Sequence, residues 1–233
     1  MPSAVPVAAM TASNHRIGGT SPWIVLLAVA VLSWSADGAT STPASASPEE
    51  ADATPAACGL TLVEAARRQV GVTVRYDGSY QRLDYPMGDV AETAGVCTDV
   101  IIRALRACGH DLQQLVHEDM RRSFASYPQN WGLSRPDRNI DHRRVPNLKR
   151  YFSRQQMRLP LPDAPAEALD RFKPGDFVTC TVPPHLPHIM IISDKTNAEG
   201  VPLVIHNIGR GAREEDRLLS FPLTGHYRWF RPD

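Results

Sequence analysis

Cys97 stands where a reactive thiol would be expected. It opens a stretch, GVCTDVIIRAL over 95–105, in which apolar residues recur with helical spacing. A cysteine in the first turn of a helix faces unpaired backbone N–H groups and the helix dipole, which both favour the thiolate. Its own backbone N–H can form half of an oxyanion hole. Position therefore favours Cys97 as a nucleophile, although a buried structural thiol is the commoner role for a cysteine.

Two histidines have the placement of a base and its orienting partner. His188 opens the apolar run HIMIISD, and His206 lies near the end of the run VPLVIHNIG. The short polar turn between the runs predicts a hairpin that brings the two histidines side by side. With Cys97 they would form a Cys–His–His triad, in which His188 holds the thiolate and His206 orients His188. His185 as base and Asn207 as orienting residue remain open alternatives.

Composition and motifs argue against other kinds of chemistry. The chain has 25 basic and 25 acidic side chains, and a formal charge of zero does not suit nucleic acid or an anionic membrane surface as partner. His110, His117 and Asp119 are close in sequence, but no HExxH or paired CxxC accompanies them. No G-x-S-x-G occurs. We expect no metal and no other cofactor.

The N-terminal quarter of the chain differs from the rest. An apolar run, SPWIVLLAVAVLSW, is followed by small residues at Ala36 and Gly38, which predicts a signal peptide over 1–38. A retained membrane anchor is the alternative. Residues 39–58 are rich in Ala, Ser and Pro and predict a disordered linker. We expect one domain over 59–233, periplasmic or secreted, with no stable membrane span after signal cleavage.

Export predicts that cysteines pair. Cys97 and Cys108 lie on one predicted helix about 16 Å apart, which is beyond disulfide reach. If Cys97 is free for chemistry, at most one disulfide forms among Cys58, Cys108 and Cys180, and the sequence leaves the choice open.

The order of elements predicts an α+β fold, with N-terminal helices packed on an antiparallel sheet. Helices are expected over 60–71, where Thr61 and Glu64 form a capping box, from Cys97 to Gly109, and over 111–124. Strands are expected at VTVRY (72–76), within 173–182, at the two histidine-bearing runs and at HYRWFRP.

A polar, proline-containing insertion covers 125–165, with a possible helix at its end. Four of its arginines could pair with substrate carboxylates: Arg135, Arg138, Arg143 and Arg144. The favoured interpretation is that they are solvated or ion-paired at the surface.

Five blocks of the chain resemble a known protein family. The blocks GVCTDVIIRALRACGHDLQQLVHEDM, YPQNWGLSRPDRNIDHRRVPNL, LPHIMIISD, VIHNIGRGAREED and TGHYRW resemble the bacterial YijF-like family of secreted proteins of unknown function, over about 60–232. That family is similar to the papain-like NlpC-type cell-wall peptidase superfamily. The superfamily has its cysteine at a helix start, its histidine on a strand after a GD turn, and a third polar residue on the next strand.

This resemblance implies a papain-like domain with Cys97, His188 and His206 as catalytic residues, and more weakly Tyr76 as a substrate-binding residue near the oxyanion. The chain departs from the superfamily in having VCTD where DCSG is usual, and a longer stretch between Cys97 and His188.

The function expected from the sequence is an exported cysteine hydrolase. Its substrate would be an amide bond of the cell envelope, in peptidoglycan stem peptides, cut by an endopeptidase or amidase reaction. One alternative is a non-catalytic module on the same fold that binds cell wall or protein. The other alternative is a thiol acyltransferase or lipid-amide hydrolase.

Overall fold

A computed structural model describes residues 55–229, with side chains from Cys58 onward. All of these residues fall in one compact unit. The predicted signal peptide and most of the predicted linker lie outside the described residues. No helix in the described range has both the length and the hydropathy needed to cross a membrane.

Four α-helices occur within 55–229: α1 (Pro55–Arg67), α2 (Cys97–Arg106), α3 (Leu112–Ser123) and α4 (Val145–Arg154). Single 3-10 turns occupy Phe124–Ser126, Asp141–Arg143, Pro165–Glu167 and Leu169–Arg171. The predicted helix that begins at Cys97 is confirmed, with Gly109 in a left-handed conformation (φ 77°) shortly after it. The helix predicted over 111–124 is also confirmed, as α3. Its start is fixed by Asp111, whose side chain caps the helix by accepting a hydrogen bond from the Gln113 N–H.

The first helix begins earlier than the sequence predicted. α1 starts at Pro55 and ends at Arg67, so Thr61 and Glu64 lie inside it rather than at its N-terminus. Pro55–Cys58, which the predicted linker included, are therefore helical. In the added first turn, Cys58 is buried in the core and bonded to Cys108, and this tertiary contact holds the helix beyond its local capping signal.

The principal sheet is antiparallel and has six strands in the order β3-β8-β4-β5-β6-β7. The strands are β3 (Arg158–Leu159), β4 (Phe177–Val182), β5 (Leu186–Thr196), β6 (Pro202–Asn207), β7 (Ala212–Glu215) and β8 (Leu223–Tyr227). A separate parallel pair joins β1 (Arg75–Tyr76) to β2 (Ala94–Gly95). The predicted strand over 72–76 is thus reduced to two residues, since Val72 and Val74 are exposed.

Both faces of the central strand β5 are covered. Ile189, Ile191 and Ile205 pack with α1 and α2 in the main core. Met190 and Ile192, on the opposite face, pack in a smaller cluster. This two-sided burial explains the continuous apolar run in the sequence of β5. The predicted α+β class, helices packed on an antiparallel sheet, is confirmed.

A disulfide joins Cys58 of α1 to Cys108, just beyond the end of α2, with 5.9 Å between the two Cα atoms. Cys97 and Cys180 are free and buried. The pairing that the sequence left open is therefore resolved, and Cys97 is available for chemistry.

Replacing both Cys58 and Cys108 with serine should lower the free energy of unfolding by about 4 kcal/mol, because the bond closes a loop of 50 residues. Urea denaturation of the variant and of wild type, each with and without reductant, measures this. Reductant should lower the urea midpoint of wild type to that of the variant, and should leave the variant's midpoint unchanged. Equal midpoints in the absence of reductant would contradict the assigned bond.

Candidate active site

Cys97 is the first residue of α2, and the extended residue Val96 precedes it. The Cys97 side chain is 3% exposed, and its thiol interacts with the backbone of Ile189 on β5 and of Thr98. The sulfur therefore lies where the start of the helix meets the sheet. This arrangement agrees with the position predicted from the helical stripe.

A buried ion pair holds the start of α2. The Arg143 guanidinium donates to both Asp99 carboxylate oxygens, at 2.9 Å each. Both side chains are almost wholly buried. The Asp99 carboxylate also accepts from the Val96 N–H at 2.6 Å, and the Thr98 hydroxyl donates to the Arg143 carbonyl at 3.0 Å. The residues on either side of Cys97 are thus tied to the insertion.

The segment before Cys97 is held from the sheet side as well. The Asn207 amide on β6 donates to the carbonyls of Gly95 (3.0 Å) and Arg75 (3.3 Å). A Cβ at Gly95 would lie 2.9 Å from an Asp99 carboxylate oxygen, so only glycine leaves room for the ion pair. Asn207 therefore positions the approach to Cys97.

His188 and His206 form the pair that the hairpin predicted. They lie on the adjacent antiparallel strands β5 and β6, and His188 Nε2 is 2.8 Å from His206 Nδ1. The planes of the two rings meet at 68°, with centroids 5.0 Å apart. His206, not Asn207, is the hydrogen-bond partner of His188. His185 is exposed on the turn between β4 and β5.

The residues on either side of His188 approach the cysteine. Its preceding neighbour, Pro187, lines the same cavity as Cys97, and its following neighbour, Ile189, contacts the Cys97 thiol through its backbone. The strands β5 and β6 pair from Ile191 onward, and no Cα pairing joins them at His188. The histidine pair therefore lies at the open end of this hairpin.

Burial makes all three groups neutral. It raises the pKa of the Cys97 thiol to about 12, and the Asp99 charge adds to this shift. It lowers the pKa of His188 to about 3, with a contribution from His206, and that of His206 to about 4. The expectation that the helix start would lower the pKa of Cys97 is wrong, because desolvation outweighs the neighbouring backbone N–H groups. At neutral pH the site holds a thiol and two neutral imidazoles.

A cavity of about 540 Å³ opens beside the cysteine. Tyr76 lines it and is half-exposed. Burial raises the pKa of Tyr76 to about 12, with smaller contributions from Cys97 and Asp99, so its hydroxyl is a donor at neutral pH. The structure thus brings Tyr76 to the cavity that Cys97 also lines.

The insertion forms the opposite wall of this cavity. Asn130, Trp131 and the stretch Arg143–Pro146 all line it. Arg143 is not at the surface, as the sequence favoured, but buried in the ion pair with Asp99. The sequence could not have shown this, because nothing in IDHRRVPNL (140–148) distinguishes the buried Arg143 from its neighbour Arg144.

The residues of the metal alternative have structural roles. Asp119 accepts from the Tyr127 hydroxyl and from Arg154, each at 2.6 Å. His117 packs against the ring of Tyr85. Within 55–229, no three His, Cys, Asp or Glu side chains are grouped so that they could hold a metal ion.

A helix-start cysteine that meets the backbone of β5 at Ile189, together with a hydrogen-bonded histidine pair on β5 and β6, defines a candidate thiol-dependent site on an α+β frame. The chain belongs to the family described as a domain of unknown function (DUF1287), which matches residues 63–229. The uncharacterized protein YijF of Escherichia coli (strain K12) is 51% identical over 171 residues, which cover 73% of this chain and 82% of that protein. No solved structure matches.

Breaking the Asp99–Arg143 pair should be strongly destabilising. Arg143→Met leaves an unpaired buried carboxylate and should lower the free energy of unfolding by about 3–5 kcal/mol. Asp99→Asn combined with Arg143→Met removes both charges and should recover part of the loss. Urea denaturation of the three proteins measures this. A single variant as stable as wild type would contradict a buried, paired arginine.

The pH dependence of alkylation tests the raised pKa of Cys97. Only the thiolate reacts, so the rate of Cys97 labelling by iodoacetamide should rise about tenfold per pH unit between about pH 7 and pH 10, without a plateau. Mass spectrometry of the labelled peptide distinguishes Cys97 from Cys180. A plateau below about pH 8 would instead reveal a thiolate–imidazolium pair at rest.

Proposed function

We propose that this chain is an exported cysteine hydrolase that cleaves an amide bond in peptidoglycan stem peptides, with a papain-like, NlpC-type arrangement of Cys97, His188 and His206. The observation that carries the proposal is the 2.8 Å hydrogen bond between the two histidines, on the hairpin whose Ile189 backbone meets the thiol of the helix-start cysteine. The resemblance in the order of cysteine, GD turn and two histidines along the chain supports it.

The first half-reaction forms a thioester. The Cys97 sulfur attacks the amide carbon while His188 takes the thiol proton on Nδ1. The His188 Nε2–H donates to His206 Nδ1, which keeps the ring of His188 oriented. The oxyanion accepts hydrogen bonds from the Cys97 N–H and from the Tyr76 hydroxyl. His188 then gives its proton to the leaving amine as the C–N bond breaks.

The second half-reaction consumes water. His188 takes a proton from the water that attacks the thioester carbon, and the C–S bond breaks. The products are a carboxylic acid and the Cys97 thiol, which recovers its proton from His188. Because the pKa of Cys97 is raised and the pKa of His188 is lowered, the thiol and the imidazole are both neutral before substrate binds. Proton transfer therefore accompanies sulfur attack, as in a serine hydrolase, rather than preceding it.

The second candidate function is a non-catalytic binding module that recognises cell-wall peptide or a partner protein. The deep burial of Cys97 and its pKa of about 12 favour this alternative. The acyltransferase or lipid-amide hydrolase alternative has less support, because two arginines line the cavity where an acyl chain would have to lie.

Digestion of purified peptidoglycan by the full chain, with products read by mass spectrometry, tests the hydrolase. Wild type should release fragments whose masses name the bond. Cys97→Ala should lower the rate at least about a thousandfold, since it removes the nucleophile. Cys180→Ala is the matched control: it removes the other buried free thiol and should keep the activity.

The outcomes separate the two candidate functions. Cleavage that persists in Cys97→Ala would exclude the thiol mechanism. The absence of fragments from wild type, together with binding of the protein to intact peptidoglycan, would favour the binding module.

A further inference from the structure

Arg144 projects a guanidinium into the wall of the Cys97 cavity. Unlike its neighbour Arg143, which Asp99 neutralises completely, Arg144 retains access to solvent, with 17% of its side chain exposed. Two adjacent arginines of the insertion thus have different surroundings, and only the second is available to a ligand.

The Arg144 side chain is held in place before any ligand arrives. Its Cζ lies 4.0 Å from the centroid of the Trp131 ring, a cation–π contact. One amino group donates to Asp141 at 2.9 Å, and the Asp141 carboxylate is itself buried. The stacked ring and the ion pair fix the plane of the guanidinium. Ligand binding therefore loses little conformational entropy in ordering this long side chain.

Part of the guanidinium has no acceptor. The Arg144 Nε and its second amino group donate to no oxygen of the described residues, and the bond to Asp141 is its single hydrogen bond there. Of the described residues that line the cavity, none is an aspartate or glutamate. The cavity therefore offers oriented, unpaired N–H donors of Arg144 and no lining carboxylate, while Asp141, which does not line the cavity, balances the Arg144 charge.

We propose that Arg144 binds a carboxylate of the ligand that enters the Cys97 cavity, so that the site selects a peptide with a free carboxylate near the bond presented to Cys97. The assignment of this peptide as a substrate rests on the proposed hydrolase function. The anion-binding role itself rests only on the geometry of Arg144, Trp131 and Asp141. Planar N–H donors matched to a carboxylate explain the use of arginine here.

Two probes test the proposal: N-acetylalanine, which ends in a carboxylate, and N-acetylalanine methylamide, which ends in a neutral amide. Each is titrated against the full chain at about 0.15 M salt, which suppresses weak surface attraction. Broadening of the acetyl methyl NMR signal of the probe reports binding. Wild type should bind the acid at least about tenfold more tightly than the amide, as expected for a hydrogen bond to a charged group.

Three variants make this result specific. Arg144→Gln should bring the two affinities within about twofold of each other. Arg135→Gln removes an exposed arginine of the same insertion that does not line the cavity, and should behave as wild type. Cys97→Ala should also keep the preference for the acid, because the preference does not depend on catalysis.

Arg144→Gln leaves the buried Asp141 carboxylate without its cation and could fail to fold. Arg144→Gln combined with Asp141→Asn removes both charges and provides a second protein that lacks the anion site. Thermal unfolding by circular dichroism verifies that each variant is folded at the temperature of the titration.

Each outcome decides the proposal. Equal or unmeasurable binding of acid and amide to wild type would overturn it, as would an acid preference that survives in both proteins lacking Arg144. An acid preference that depends on Arg144, in a protein that does not digest peptidoglycan, would support the carboxylate site and refute the hydrolase. Digestion without an acid preference would do the reverse.

Discussion

The buried ion pair between Asp99 and Arg143 is the constraint on which the rest of the site depends. Removing two charges from water is costly, and the cost is offset here by two charge-assisted hydrogen bonds between them and by the Val96 N–H and two backbone carbonyls, of Asp77 and Ser79. Asp99 belongs to the first turn of α2, and Arg143 belongs to the insertion. Through this pair, the start of the helix, the loop after β1 and the insertion hold one another in place around Cys97.

Burial has opposite consequences for paired and unpaired groups in this small volume. Asp99 and Arg143 are each the counterion of the other. Cys97 and the two histidines have no counterion, so desolvation raises the pKa of the thiol and lowers those of the imidazoles. A helix start is therefore not sufficient to produce a resting thiolate. The hydrogen bond between His188 and His206 aligns a neutral base instead, and chemistry at such a site must move a proton as the sulfur reacts.

The insertion between α3 and β3 is a structural part of the site. It supplies one partner of the buried ion pair and most of one wall of the cavity. The 3-10 turn Asp141–Arg143 and the start of α4 set Arg143 inward toward Asp99, while Arg144 reaches the cavity against Trp131. Adjacent residues on such a turn point in different directions, which is how one arginine becomes a structural cation and the next a candidate ligand contact.

The sequence by itself determined the α+β order of elements, the helix that begins at Cys97 and the hairpin that pairs His188 with His206, because helical periodicity, turn residues and strand alternation are local properties. It also placed Cys97 and Cys108 too far apart to bond. Only the tertiary structure decided the Cys58–Cys108 bond, the early start of α1, the burial of Arg143 and the raised pKa of Cys97. Each of these depends on which distant segments meet and exclude water, and a linear pattern contains no measure of that exclusion.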